Sequence, residues 1–76
     1  MQIITKDGIA KYAFEDSDEL QILGTKIIAP DFIIGDLNIA NCILYANIED
    51  VPQDFAGDKY LFDGEEFDPN PDYVEV

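Results

Sequence analysis

The chain lacks histidine, arginine and tryptophan, and its only basic side chains are four lysines. Without histidine, a Ser–His or Cys–His nucleophile system cannot form within this chain. A zinc site needs several Cys or His ligands, and the sequence contains one cysteine. Its glycines are isolated from one another, so there is no glycine-rich phosphate-binding loop. These absences predict that the protein is not an enzyme and binds no cofactor.

Cysteine and long apolar runs are also scarce. Cys42 is the only cysteine, which rules out an internal disulfide, and it lies in the apolar run 39–46 as a small hydrophobic residue would. No stretch approaches the roughly 18 consecutive apolar residues that a membrane-spanning helix needs. The first residues lack a basic segment followed by a long apolar one, so we expect no signal peptide.

Acidic residues are abundant: 17 Asp and Glu against four Lys give a net charge of −13. Residues 1–47 carry a net −4 and residues 48–76 a net −9. Such a chain has no cationic face for a phosphate backbone or an anionic membrane, so we expect neither nucleic acid nor membrane as a partner. Two interpretations remain open: the acids only keep the protein soluble, or they form a docking face for a basic protein partner.

Short apolar runs separated by turn residues predict an all-β fold in a single domain, residues 1–76. Seventy-six residues accommodate a small antiparallel sheet or barrel of hairpins with about six strands. We expect at most one short helical turn, over residues 36–41, where Asp36 could cap it. The predicted strands cover residues 2–5, 9–14, 20–23, 26–29, 42–48, 59–62 and 65–67.

Several local features follow from the same pattern. Strict alternation over 9–14 predicts that Ala10, Tyr12 and Phe14 share one face. Gly24-Thr25 favours a type II′ turn and Asp63-Gly64 a type I′ turn. The apolar run 42–48 predicts a central strand buried on both faces. Pro69 and Pro71 predict an extended C-terminal tail over residues 68–76.

Aromatic residues crowd the last third of the chain and are our candidates for interface anchors. They either form the core of the last hairpin or, where they point outward, contact a partner. An open sheet face or edge would need a cover, and a second copy of the chain would supply one, so we expect a homo-oligomer. The interface candidates are Phe55, Tyr60, Phe62, Phe67 and Tyr73.

Calcium is the one metal for which the sequence contains a partial binding pattern. Asp68, Asn70 and Asp72 have the alternate spacing that begins an EF-hand loop. The interleaved Pro69 and Pro71 stiffen the segment, and the required glycine and bidentate Glu are absent. We therefore interpret this segment as a solvated acidic loop and expect no metal.

Two motifs close the C-terminal part of the chain: Val51–Phe67, which reads P-x-D-F-x-G-x-K-Y-x-F-D-G at its core, and the N-P-x-Y motif of Asn70–Tyr73. Together they resemble a pattern that closes small accessory proteins of marine tailed phages. The segment Phe32–Asn38 looks like the linker that precedes this pattern, so about the last 45 residues are covered. The family has no established activity and supplies no catalytic residue.

The resemblance implies a non-enzymatic accessory protein that acts as a structural or assembly module through protein–protein contacts, in the host cytoplasm or the virion. The alternative is an acidic inhibitor that mimics a polyanion and occupies the basic groove of a host nucleic-acid-binding protein, as anti-restriction or anti-CRISPR proteins do. A third hypothesis is a small-ligand or sugar-binding module built on the aromatic residues.

Overall fold

The computed structural model describes residues 1–74 and shows an all-β fold without a helix among them. A five-stranded antiparallel sheet curls into a half-barrel with the order β6-β1-β2-β7-β8, and a three-stranded antiparallel sheet has the order β3-β4-β5. The all-β antiparallel prediction is confirmed. The eight strands are β1 (Gln2–Lys6), β2 (Ile9–Phe14), β3 (Gln21–Ile22), β4 (Ile27–Ile28), β5 (Ile33–Ile34), β6 (Ile43–Tyr45), β7 (Tyr60–Phe62) and β8 (Phe67–Pro69).

A tight turn joins β1 to β2. Asp7 and Gly8 both have positive φ, 54° and 79°, which suits the twist of the flanking strands. Aspartate and glycine tolerate this left-handed region better than other residues. The hairpin therefore forms where the local sequence predicts it.

A β-bulge in β2 overturns the predicted alternation. Ile4 pairs with Tyr12 but the next residue, Thr5, pairs with Ala10, so Lys11 is the extra residue. The bulge turns Ala10 to the opposite side of the sheet from Tyr12 and Phe14. The prediction that these three share a face was wrong because a single inserted residue reverses the period of two.

Two apolar clusters cover the two faces of β1. Ile4 packs with residues of the small sheet, including Ile27 and Ile34, whereas Ile3 packs with Ala10 and Phe62. Ile3, Ile4 and Ile27 have no exposed surface. Burying each such side chain contributes roughly 1.5–3 kcal/mol, so the two clusters supply much of the stability of a domain this small.

The strand predicted to be central lies at an edge. Among the strands of residues 1–74, β6 pairs with β1 alone. It covers three residues of the predicted 42–48, and Ile43 is 55% exposed. The other side of β1 is taken by the local β1–β2 hairpin, and the β7–β8 hairpin extends the sheet beyond β2. An apolar run does not specify strand order, because order depends on which hairpins dock beside one another.

The last hairpin forms with a different turn. Phe62 pairs with Phe67, so the loop has the four residues 63–66 rather than the two predicted. Asp63 does not have the positive φ that a type I′ turn requires; Gly64 has φ 101°. The Asp63 carboxylate instead accepts the backbone N–H groups of Glu65 and Glu66, both at 2.8 Å, and this side-chain cap replaces a backbone turn.

The predicted type of the β3–β4 turn also differs from the structure. Gly24 does not have positive φ, so the β3–β4 turn is not type II′, although Leu23 N–H does donate to the Lys26 carbonyl at 2.8 Å. Residues 36–41 form a turn without a helix, which agrees with the prediction of at most one helical turn there. Asn38 rather than Asp36 organises it, because the Asn38 Oδ1 accepts the Ala40 N–H at 2.9 Å.

The predicted tail begins inside β8, where Pro69 lies opposite Tyr60. Proline is tolerated there because β8 is an edge strand, and its missing N–H leaves no ladder partner unsatisfied. Asn70 N–H then donates to the Lys59 carbonyl at 3.0 Å. Residues 75–76 of the predicted tail lie outside the described residues.

Candidate functional site

Two acidic loops of the chain lie on either side of one groove, which we call the acidic groove. One loop follows β6 and the other joins β7 to β8. Four exposed carboxylates rim it, and three half-buried apolar side chains form its floor. The rim consists of Glu49, Asp50, Glu65 and Glu66, and the floor of Ile48, Pro52 and Phe67.

Backbone contacts hold the first loop against the sheet. Ile48 N–H donates to the Met1 carbonyl at 2.8 Å, and Asn47 N–H donates to the Asp16 Oδ1 at 3.2 Å. Asn47 and Asp50 both have positive φ, which turns the chain sharply before and after Ile48 and Glu49. The backbone that carries the Glu49 and Asp50 carboxylates is therefore fixed to the sheet.

The second loop is held by its own aspartate. The hydrogen bonds from the amides of Glu66 and Glu65 lower the pKa of Asp63 below its ordinary value of 3.8, because they favour the charged carboxylate. The Asp63 cap fixes the backbone positions of both glutamates at the rim. Phe67 packs beneath them at 4.2 Å, ring centroid to centroid, from the buried Phe62.

No lysine is among the groove's lining residues in the part of the chain that the structure describes. Lys11 is paired with Asp58, and Lys59 Nζ lies 2.9 Å from Asp54 Oδ2, both away from the groove. Four negative rim charges over an apolar floor can attract a cationic group and cover its aliphatic part.

Four of the five aromatic interface candidates form one connected cluster of rings. Phe67 contacts Phe62, Phe55 and Tyr60, with ring centroids 4.2, 6.4 and 6.2 Å apart. Phe62 is 2% exposed, so it belongs to the core and does not point outward. Phe67 is the candidate that also lines the acidic groove.

The remaining aromatic candidates are half-buried. Tyr60 O–H donates to Asp54 Oδ1 at 2.6 Å, and this hydrogen bond raises the pKa of Tyr60 and lowers that of Asp54. Tyr73 N–H donates to the Asn70 carbonyl at 3.1 Å. Neither residue lines the acidic groove.

Among the calcium candidates, the Asn70 side chain is hydrogen-bonded to the protein backbone. Asn70 Oδ1 accepts the Asp72 N–H at 3.0 Å, and its Nδ2 donates to the Asp58 carbonyl at 2.7 Å. Asp68 lies in β8 opposite Leu61. Within residues 1–74, no three His, Cys, Asp or Glu side chains are grouped so that they could hold a metal ion.

Cys42 is half-buried against the core cluster that contains Ile4. Burial raises the pKa of its thiol, because a thiolate loses hydration there. The thiol is therefore less reactive than a free one, as expected for a small hydrophobic residue.

Comparisons with known proteins found no matching family model, curated protein or solved structure. The resemblance to phage accessory proteins therefore stays a prediction. No helix in the described part of the chain is long and apolar enough to cross a membrane.

The acidic groove is not apparent from the sequence. The sequence shows an excess of acids after residue 48, but Glu49 and Glu66 are far apart in it and meet only through the fold. The local signals that existed were the acid pairs 49–50 and 65–66, each next to a strand end. Nothing in the sequence indicates that these two pairs share a groove.

Proposed function

We propose that this protein is a non-enzymatic interaction module whose acidic groove binds a basic segment of a protein partner. The observation that carries the proposal is the juxtaposition of four exposed carboxylates over the apolar floor of Ile48, Pro52 and Phe67. The anchored backbone of both loops supports it, because a rigid site loses little conformational entropy on binding.

Lysine and arginine side chains fit such a groove in two ways. Their aliphatic stems pack on apolar surface while the charged head remains near water or carboxylates. Charge-assisted hydrogen bonds to carboxylates are stronger than neutral ones. The net charge of −13 also steers a basic partner toward this surface from a distance.

The biological setting is part of the proposal. The C-terminal resemblance supports a phage accessory role in assembly, in the host cytoplasm or the virion. The same charge disfavours nucleic acid and anionic membranes as direct partners. A structural or assembly role requires a protein partner, and the acidic groove is the surface that we assign to it.

A second candidate function, mimicry of a polyanion, is favoured by the closeness of a second acidic loop to the groove. The loop at 15–19 carries four acids, and Asp16, which also pairs with the N-terminal ammonium at 3.0 Å, contacts Asn47 at the margin of the acidic groove. The acids of this loop and of the groove thus lie on adjoining loops. An extended negative surface of this kind would occupy the basic groove of a host nucleic-acid-binding protein.

A peptide titration tests the proposed site. The probes are decalysine and a ten-residue peptide that alternates Lys with Leu, each labelled with a fluorophore. We expect the alternating peptide to bind more tightly despite its lower charge, because its leucines contact the apolar floor. Amide NMR shifts should concentrate at residues 47–52 and 65–67.

Charge-matched variants separate the groove from general attraction. The variant E49Q/E66Q should weaken binding of the alternating peptide by about tenfold, roughly 1.4 kcal/mol, because two of four rim carboxylates are lost. The control D7N/D31N removes the same charge from exposed positions outside the groove. Equal losses in both variants, or shifts spread over the whole surface, would refute a groove-specific site and favour polyanion mimicry.

A further inference from the structure

The small sheet has an apolar outer face that the core does not cover. Ile22, Ile27 and Ile34 pair across β3, β4 and β5 and turn inward to the core cluster of Ile4. The residues that alternate with them point outward. Ile33 is 60% exposed and Leu23 is 39% exposed. The outer face consists of Gln21, Leu23, Lys26, Ile28 and Ile33.

This outer face carries no carboxylate, although the chain has 17. Its one charged residue, Lys26, lies at the hairpin end, where the Lys26 carbonyl accepts the Leu23 N–H. Lys26 forms none of the ion pairs found among the described residues. Elsewhere the surface is dominated by acids, so two copies of the chain would repel each other.

Carboxylates adjoin the opposite end of the same face. A groove next to Gln21 and Ile28 is also lined by Asp18 and Glu19, which precede β3. The face therefore has a cation at one end, Asp18 and Glu19 beyond the other, and an isoleucine row between them. Two further exposed carboxylates lie at its margins, Asp31 in the β4–β5 turn and Asp36 after β5.

We propose that a second copy of this chain docks on the outer face, forming a dimer with a two-fold axis in the interface and perpendicular to the strands. That symmetry brings Ile28 and Ile33 of the two copies together. It also reverses the strand direction, so Lys26 of each copy meets Asp18 and Glu19 of the other. A self-complementary contact of this kind is what a two-fold dimer requires.

The distribution of charge favours a second copy of the chain, rather than a basic protein, as the partner of the outer face. A basic partner gains nothing from a face whose single charge is a lysine, whereas a second copy brings its Asp18 and Glu19 to that lysine. A standard interface covers about 800 Å² on each partner, which is a large share of the 5092 Å² surface of this chain. The outer face consists of five residues, whereas a standard interface has about 20–30 on each side, so we expect a reversible dimer at micromolar or higher concentration.

Sedimentation velocity from about 10 μM to about 1 mM protein, without any peptide, tests the dimer. The mass should rise from 8.5 kDa toward twice that value. The variant I33E should raise the dissociation constant by at least about tenfold, because it places a carboxylate in the isoleucine row. The control I43E changes an isoleucine of similar exposure, 55%, on β6, and should dimerise like the wild type.

A charge swap tests the geometry. K26E should weaken the dimer, and K26E combined with E19K should restore it, because the swapped pair again has opposite signs. Circular dichroism of each variant checks that the fold is retained. A wild-type monomer at 1 mM, equal effects of I33E and I43E, or no rescue by the swap would overturn the proposal. The peptide titration tests only the acidic groove, so the absence of a dimer would not affect the proposed peptide binding.

Discussion

Single aspartates organise the loops of this protein through hydrogen bonds to their carboxylates. Asp63 accepts two backbone amides, and Asp54 accepts the Tyr60 hydroxyl and pairs with Lys59. The hydrogen bond from Tyr60 lowers the pKa of Asp54 most, and the one from Lys59 lowers it further. The backbone amides of Glu66 and Glu65 lower the pKa of Asp63. Both carboxyls are exposed, so water screens the ion pair with Lys59.

The pH dependence of stability follows from the direction of these shifts. A carboxyl with a lowered pKa in the folded state contributes stability above its unfolded pKa, near 3.8, and loses it as the pH falls through the folded value. We expect D63A to lower the melting temperature at about pH 6, and this deficit to shrink as the pH falls below 3.8, because the folded protein loses the contribution of the ionised Asp63 as that carboxyl becomes protonated.

The comparison must remove the effect of net charge. D31N deletes one carboxylate that accepts no hydrogen bond among the described contacts, so it serves as the charge control. Melting curves of the wild type, D63A and D31N across this pH range measure the difference. A deficit in D63A that is constant with pH, or that grows as the pH falls, would contradict the role of the ionised Asp63.

At the scale of elements, the β7–β8 hairpin places one rim of the acidic groove. Gly64 has φ 101°, and a Cβ at this position would lie 2.8 Å from Cε1 of Tyr45. The Tyr45 ring in turn packs edge-on against Phe62, at 5.2 Å. A side chain at Gly64 would therefore strain the loop and push on the core at the same time.

We expect G64A to destabilise the protein by about 1–3 kcal/mol, because alanine strongly disfavours this φ and its methyl group meets the Tyr45 ring. In a domain of this size each kcal/mol lowers the melting temperature by about 4–8 °C. The matched control is G35A, where a Cβ meets nothing within 4 Å and φ is not positive. Similar melting temperatures for G64A and G35A would show that the loop adapts without strain.

The bulge in β2 positions the segment that precedes β7. Gly57 passes so close to the bulged Lys11 that a Cβ would lie 2.9 Å from its carbonyl oxygen. Asp58 N–H donates to the Ala10 carbonyl at 3.0 Å, and its carboxylate pairs with Lys11. The segment before β7 is thus held against β2 by a glycine, a backbone hydrogen bond and an ion pair.

At the scale of the whole molecule, the dominant property is charge. The net charge is −13 and the extents are 29 × 23 × 22 Å. The Debye length is about 30 Å at 0.01 M salt, so repulsion acts across the entire molecule, and about 3 Å at 1 M, where it acts only between neighbours. The folded state concentrates this charge more than the unfolded chain does, so salt should stabilise it.

We expect the melting temperature to rise between about 0.01 M and 1 M NaCl, with most of the gain below about 0.2 M, where the Debye length changes most. Choline chloride should give the same curve, because screening does not depend on the identity of the cation. CaCl₂ at matched ionic strength tests the segment Asp68–Asp72. A melting temperature that falls with salt would contradict the repulsion, and an excess rise with Ca²⁺ alone would revive a calcium site.

Local sequence was sufficient for features that involve neighbouring residues. The all-β class, the β1–β2 hairpin at Asp7-Gly8 and the bounds of β2 followed from periodicity and from residues that tolerate positive φ. The excess of acidic residues and the lack of histidine and arginine are also evident from the amino-acid composition. These properties depend on composition and on dihedral preferences, which each short segment carries with it.

Tertiary structure decided the features that depend on distant partners. The bulge at Lys11, the edge position of β6 and the meeting of residues 47–52 with 65–67 all follow from which strands pair and in which register. Side chains alternate every residue, so one bulge exchanges the faces, and the same apolar run can lie at an edge or in the centre. The acidic groove and the outer face of the small sheet therefore came from the fold, because only packing brings their residues together.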